Sequence, residues 1–367
     1  MSTLLKDLYS LTFYDKLTDS LAISLPTFNK KAFIDSIFNS QFAVMELKDR
    51  MRHTSRVLHT YMPEHFPDTV PVLNQIIDQL LTDDFRAGSL EFAFLPDYIE
   101  TYGINDYADA ITAFEFVTQF ITCEFAVRPF LIKYPDEMLN QMLSWSLHPK
   151  HTVRRLASEG TRPRLPWAMA VPQLKQNPEL VLPILENLKR DSSESVRRSV
   201  ANSLNDIAKT HPQLVLDIAK KWTGQSRETD AIIKHGSRTL LKQGNLEILN
   251  HYGLAADEII ISDLHIESPQ VKIGENLSFS FNIENQSVAS RTIRLEYAIY
   301  YMKANGQLSR KVFKISERSY LGAERVTIVR RQSFRLITTR VFYSGAHRLS
   351  IIANGEEKAS ADFLLIV

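Results

Sequence analysis

The residues of this chain with chemistry to offer are carboxylates set among arginines. The stretch His148–Trp167, HPKHTVRRLASEGTRPRLPW, carries four arginines, one lysine and two histidines against a single acid, Glu159. Such a group offers an anion beside cations that grip phosphate, with an indole, Trp167, close by. A second acid, Glu124, interrupts the apolar run FVTQFITCEFAV, with Arg128 four residues on. A carboxylate buried there without a partner costs on the order of several kcal/mol. Glu124 is therefore either paired with Arg128 on a helix surface or aimed into a cleft. Glu159 has the same two readings, with Arg155 as its structural partner. Farther on, Arg198, Asn202 and Asp206 repeat the polar i, i+4, i+8 spacing, so two adjacent helices would present a concave polar groove. Trp167 follows RPRLP on an expected loop, where stacking on a base or sugar competes with a place in the core. Trp145 and Trp222 read as core.

Other chemistries lack their patterns. His148 and His151 have no cysteine or acid partners at ligand spacing, so no metal is expected. There is no Walker loop, no dinucleotide fingerprint and no G-x-S-x-G, so no cofactor is expected. The one cysteine, Cys123, leaves no intrachain disulfide and fits a reducing compartment. No apolar run has the length of a membrane span, and MSTLLKDLYSLTFYDKL does not read as a secretion signal. The net charge of +1 names no partner. Its distribution says more: Arg310–Arg340 holds nine basic residues and two acids, a local patch suited to phosphates.

The elements that must position these residues form a repeat. A helix from near Thr152 puts Val153, Leu156 and Ala157 on one face, and Gly160, Pro163 and Pro166 end it. DSSESVRR at Asp191–Arg198 repeats HPKHTVRR at an offset of 43, and PQLVLDI at Pro212–Ile218 repeats PELVLPI at an offset of 34. About nine residues are thus inserted after the first VRR helix, within GTRPRLPWAMAVPQ. Periods near 40 with two helices per unit fit HEAT or armadillo-type solenoids, where a loop insertion falls on one face. Recurring arginines in such repeats, here Arg154, Arg155, Arg197 and Arg198, are either internal ladder residues or ligand contacts.

The spacing predicts helices over Phe33–Met45, Leu47–Tyr61 and Val70–Leu81, a helix end and loop at Phe92–Gly103, and one long helix at Tyr107–Phe130 with a core stripe of Phe116, Phe120, Cys123 and Val127. Helices follow to about Leu254. From Asp257 seven short alternating or apolar runs, with turn pairs at Asn305-Gly306 and Asn354-Gly355, predict an immunoglobulin-like β-sandwich. The expected fold is mainly α: a HEAT-like helical-repeat solenoid, residues 1–256, followed by an immunoglobulin-like sandwich, residues 257–367. At 367 residues the chain has room for both.

The run H-x4-VRRLASEGTRPRLPW, the second VRR helix and PQLVLDIAKKW together resemble the AlkC-type alkylpurine DNA glycosylases, members of the DNA alkylation repair superfamily built on HEAT-like repeats. The resemblance covers the whole chain and is sharpest over Ala110–Trp222. It extends to the appended immunoglobulin-like domain, which AlkD-type relatives lack. It implies excision of cationic methylated bases, chiefly 3-methyladenine, from duplex DNA, without flipping the lesion into a pocket. It implies two active-site glutamates at Glu124 and Glu159, a lesion-facing tryptophan at Trp167, and a basic groove from Arg155, Arg162 and Arg164; Arg198, on the repeated polar face, is a further expected DNA contact. Asp206 is a weaker carry-over.

The chemistry agrees with that role. A base alkylated at N3 is already a cation and leaves without further protonation. What is required is negative charge near C1′ and a base to orient water, which paired carboxylates supply in sugar chemistry. Arginines then hold the phosphates. In the sandwich, Arg330, Arg331 and Arg335 are the expected DNA contacts, with Gln332–Thr339 as a loop entering the minor groove. The expected partner is double-stranded DNA carrying alkylated bases. The expected protein is a bacterial monomer, cytoplasmic and used at the nucleoid, with no membrane and no cofactor. The rival readings are a protein-binding HEAT-repeat scaffold and a non-catalytic DNA-structure binder.

Overall fold

The structure is a computed structural model and describes residues 4–336 and 341–366. Its helices are α1 (Leu11–Ser24), α2 (Lys30–Ile37), α3 (Leu47–His59), α4 (Phe66–Thr82), α5 (Phe94–Tyr102), α6 (Tyr107–Val117), α7 (Val127–Lys133), α8 (Pro135–Trp145), α9 (His151–Gly160), α10 (Pro172–Gln176), α11 (Leu182–Leu188), α12 (Glu194–Ala208), α13 (Pro212–Trp222), α14 (Arg227–Gly236), α15 (Arg238–Gln243) and α16 (Leu246–His251). Strands follow from Ile259. By contacts the chain divides into two compact units, Met1–Val215 with Trp222–Gly236, and Leu216–Lys221 with Ser237–Val367. The last two helices therefore group with the strands.

Within the first unit, apolar faces at helical spacing build the core. On α9 these are Val153, Leu156 and Ala157, and on α12 Val196, Val200 and Leu204, all buried. Gly160 closes α9 against α7, where an added Cβ would lie 2.8 Å from a Val127 methyl. The two other indoles are core residues, Trp145 1% exposed and Trp222 2%. Each donates its ring N–H to a glutamate, Trp145 to Glu115 at 2.8 Å and Trp222 to Glu186 at 2.9 Å, which lets an amphipathic ring be buried without an unmade hydrogen bond.

Two sequence expectations for this unit are corrected. Tyr107–Phe130 is not one helix: the chain leaves the helical path between Thr118 and Ala126. Thr118, Ile121 and Thr122 are β-branched and weak helix formers. The Phe120 carbonyl is taken by the amide of Gly88 at 2.7 Å, not by an amide one turn on. Phe92–Gly103 is not a helix end and loop but contains α5, whose Asp97 is 2% exposed. Burial pushes that carboxyl up, while Ser55 and Arg52, each 2.7 Å away, act against the rise.

The second unit carries eight described strands, one more than the sequence pattern predicts: β1 (Ile259–Ile266), β2 (Gln270–Lys272), β3 (Asn276–Asn285), β4 (Arg291–Met302), β5 (Leu308–Tyr320), β6 (Arg325–Ser333), β7 (Gly345–Ala353) and β8 (Glu356–Ile366). The extra strand is β2, three residues pairing parallel to β8, too short for an alternating pattern to show. The strands form two sheets, ordered β1-β3-β6 and β2-β8-β7-β4-β5. Alternate residues of β3 (Leu277, Phe279, Phe281, Ile283) and β4 (Ile293, Leu295, Tyr297, Ile299) fill the space between them. Asn354-Gly355 closes the β7–β8 hairpin with positive φ at both residues, 47° and 82°, as a tight primed turn demands. Of the expected loop Gln332–Thr339, Gln332 and Ser333 belong instead to β6, paired with β3, and residues 337–339, with Arg340, lie outside the described residues.

A candidate active site on α9

Glu159 sits in the last turn of α9, 5% exposed. Its Oε1 accepts from Nη1 of Arg162 at 2.5 Å. Arg162 reaches on with Nε and Nη2, both 2.9 Å from Oδ2 of Asp206 on α12. Lys209 meets the other Asp206 oxygen at 2.9 Å. In the opposite direction Nη2 of Arg155 lies 4.0 Å from Oε1 of Glu159, while its Nη1 donates to Oε2 of Glu124 at 2.7 Å. Thr122 completes this end, donating to the same Glu124 oxygen at 2.8 Å. The result is one chain of alternating charge: Glu124, Arg155, Glu159, Arg162, Asp206, Lys209.

The Glu124 contact corrects the sequence expectation. Because the chain is not helical there, Glu124 and Arg128 do not form an i, i+4 pair. Glu124 stands on the loop between α6 and α7 and faces α9. Glu159 likewise has Arg162 as its close partner and Arg155 as its distant one. Each acid gives one oxygen to an arginine. The other oxygens, Oε1 of Glu124 and Oε2 of Glu159, take no hydrogen bond among the described residues. The two acids are thus bridged by one half-buried guanidinium, Arg155.

Arg162, expected to hold phosphate, is 7% exposed and spends its fork on two carboxylates. Burial alone would push its guanidinium down, but Glu159 and Asp206 outweigh this and hold it above its ordinary value. Asp206, the weaker candidate, belongs to the same group at 2% exposure. Arg164 is half-buried, with its Nε buried and unbonded among the described residues.

The inserted segment after α9 carries Trp167, which is 63% exposed and therefore not core. Its φ of +65° is uncommon for a bulky residue and marks backbone strain. Lys48 of α3 donates to its carbonyl. The indole borders a small apolar recess lined by Tyr9, Leu47, Met51 and Phe125.

The repeat explains the remaining arginines. Nη1 of Arg154 donates to the carbonyls of His148 and Pro149, and Nη1 of Arg197 donates to those of Asp191 and Ser192, the same two positions one repeat on. Arg154 also bridges to the next repeat through both oxygens of Asp191, at 2.5 and 3.0 Å. These two are ladder residues. Arg198 is exposed and pairs with Glu194 one turn back, bordering a cleft of about 390 Å³ with Arg227 and His235. In the second unit Arg330, Arg331 and Arg335 are exposed and make no ion pair among the described residues. Arg330 and Arg331 are consecutive at the end of β6, so they leave the strand on opposite sides.

Sequence reasoning missed Arg128, Thr122, Lys48 and Lys209. Lys209 stands three residues after Asp206 and was visible in the spacing. Thr122, two residues before Glu124, was also within local reach; Arg128 and Lys48 act across long sequence separations on backbone carbonyls that no residue pattern marks. Among the described residues no group of three or more His, Cys, Asp or Glu could hold a metal ion, and no helix is long and apolar enough to cross a membrane.

Comparison with known proteins bears on this arrangement. Residues 105–240 match the family described as DNA alkylation repair enzyme. Residues 260–367 match the family described as Uncharacterised protein YhaZ, C-terminal Ig-like domain. Over 360 residues the chain is 43% identical to Uncharacterized protein YhaZ of Bacillus subtilis (strain 168), covering 98% of each. Among solved structures it is similar to the Pseudomonas fluorescens alkylpurine DNA glycosylase AlkC bound to DNA containing an abasic site analog. The identity is 35%, the coverage 100% of both chains, and the TM-score 0.94.

Proposed function

The chain belongs to the AlkC-type alkylpurine DNA glycosylases, and from that premise we propose that it hydrolyses the N-glycosidic bond of cationic N-alkylated bases, chiefly 3-methyladenine, in duplex DNA. The observation that carries this reading is the pair Glu124 and Glu159. They are bridged by Arg155, each keeps one carboxylate oxygen unbonded, and the inserted segment that follows Glu159 in the chain carries an exposed indole, Trp167. The relative's structure with DNA containing an abasic site analog supports DNA as partner.

A base alkylated at N3 is a cation and a good leaving group, so the protein does not have to protonate it. As the bond to C1′ lengthens, positive charge moves onto the sugar, and two carboxylates beside it lower the energy of that state more than that of the bound substrate. One of them also orients the attacking water. Trp167 stacks on the cationic base or its sugar without enclosing it, so the lesion stays in the duplex. Arg162 and Asp206 fix the Glu159 rotamer from behind, Arg155 fixes Glu124, and Arg198 with Arg164 contacts phosphates. We assign catalysis to the helical part, residues 1–256, and a separate DNA contact through Arg330, Arg331 and Arg335 to the sandwich, residues 257–367.

The test is to incubate the protein with methylated duplex DNA and identify the bases set free. Release of 3-methyladenine, unchanged by EDTA, is expected. No released base, or complete loss of activity in EDTA, overturns the reading and leaves a DNA-structure binder or a scaffold.

A further inference from the structure

Arg128 is the most deeply buried arginine among the described residues. It lies on α7 at 1% exposure and has no carboxylate within ion-pair distance among the described residues. Burial, with the nearby Arg162 cation second, pushes its guanidinium down to about 10. A charge so placed is unfavourable, and an apolar side chain of similar volume would serve the core better. What the guanidinium does instead is geometric. Its Nη1 donates to the carbonyls of Gly160 at 2.9 Å and Arg162 at 3.0 Å, and its Nε to that of Met169 at 2.5 Å. Gly160 ends α9, so the first bond caps an orphan carbonyl of that helix. Met169 lies beyond Trp167. One planar fork therefore joins both ends of the inserted segment, which carries Arg162, Arg164 and Trp167. Apart from short turns, the segment's backbone has one further tie among the described residues, Lys48 on the Trp167 carbonyl. Gly160 adds contact with the same helix, since a Cβ there would meet Val127 at 2.8 Å.

We infer that Arg128 is the positioning residue of the site: by closing the Gly160–Met169 segment it sets where the Trp167 indole and the Arg162 guanidinium lie relative to Glu159. This rests on the proposed role of Trp167 and Glu159. Arg128 touches no substrate. Lysine cannot replace it, because an ammonium lacks the fixed fork that reaches three carbonyls at once.

The experiment uses the chain's own indoles. Of three tryptophans, Trp145 and Trp222 are buried and Trp167 is exposed, so acrylamide quenching of fluorescence reports chiefly on Trp167. In Arg128→Met the quenching of Trp167 is expected to change. The kcat for base release should fall by up to about 10²-fold, the usual size of an ångström-scale misplacement, with affinity for undamaged duplex within about twofold of the parent. Arg128→Lys should recover only part of the loss. Glu159→Gln should lower release by about 10²- to 10³-fold and leave the quenching alone. Should Arg128→Met not fold, Gly160→Ala answers the same question: its Cβ drives the end of α9 away from α7, so quenching and kcat should move together, and adding Val127→Ala should restore both. Parent-like quenching and kcat in Arg128→Met overturns the inference, as does a loss of kcat matched by an equal loss of affinity. So does a Gly160→Ala defect that Val127→Ala does not relieve. If the parent protein releases no base, the proposed function fails, and the quenching results still decide whether Arg128 holds the segment.

Discussion

α9 and α12 are one helix in two copies, and they part company at the acid. Arg154 and Arg197 make the same two backbone bonds 43 residues apart. One residue on, Arg155 crosses to Glu124 on another element, while Arg198 stays on its own helix with Glu194. Four further on stands Glu159 in one copy and Asn202, which bonds His235, in the other. The first copy is followed by the inserted segment with Trp167; the second passes to α13 within three residues. What recurs is scaffold, and what fails to recur is the candidate chemistry.

The sharpest way to break this comparison is to neutralise the acids. Glu159→Gln and Glu124→Gln should each lower the rate of base release by about 10²- to 10³-fold, the range for losing one preorganised electrostatic group, with folding and DNA affinity nearly intact. Asn202→Ala, at the equivalent position, should change the rate by less than about twofold. If both glutamine variants keep parental activity, the two faces do not differ in kind. If both unfold, the acids are only structural pairs.

The ladder should show the opposite profile. Arg154→Ala removes charge-assisted bonds to a buried carboxylate and should cost about 1–3 kcal/mol in denaturant unfolding. Arg155→Ala, half-buried, should cost less than about 1 kcal/mol while impairing excision. The effect of Arg154→Ala should depend on pH. Burial pushes the Asp191 carboxyl up, but the Arg154 bonds and the Ser193 amide outweigh this and leave it below its ordinary value. A lowered folded value adds stability above the unfolded carboxylate range, and that stability is lost as pH falls through the folded value. The gap between parent and Arg154→Ala should therefore be full at neutral pH and shrink below about pH 4. A gap that stays constant to lower pH would remove Asp191 from the account.

A smaller effect is expected from the indole. Trp167→Ala should slow excision by about tenfold, in the range of one lost stacking contact, and leave the melting temperature unchanged because the ring is exposed. Equal losses in excision and in binding to undamaged DNA would end its special role. The smallest effect belongs to the sandwich. Reversing Arg330, Arg331 and Arg335 to Glu should flatten the salt dependence of DNA binding by up to about 0.9 in log–log slope for each arginine that meets a phosphate. An unchanged slope would make this domain a structural appendage.

Much of this was legible beforehand, and the reasons divide cleanly. The repeat offset placed α9 and α12, and the alternating runs placed seven of the eight described strands, because burial writes itself as period. Glu159 stood out as one acid among cations. The break after Val117 was hard to read: the apolar residues keep helical spacing across it, its β-branched Thr118, Ile121 and Thr122 are a weak signal, and the bond from the Gly88 amide to the Phe120 carbonyl is tertiary. Hence one of the two readings of Glu124, a surface pair with Arg128, fails, and its partner is Arg155. Arg128 was hidden for a related reason, since a backbone carbonyl is present at every residue and distinguishes none.

The alternating row from Glu124 to Lys209 has a consequence for how this site could change. Its six charges sum to zero, and each interior member answers to two neighbours. Deleting one leaves an uncompensated charge among buried groups, whereas deleting adjacent opposites preserves parity. Truncation to alanine of the deeply buried members, Glu159, Arg162 and Asp206, should show strong epistasis: single truncations are disfavoured, and matched doubles are tolerated as folded proteins even where they are dead as enzymes. The row is most open to drift at Lys209, its most exposed member at 38%. A mutational path that reshapes the acid face should begin at that end and move inward two residues at a time.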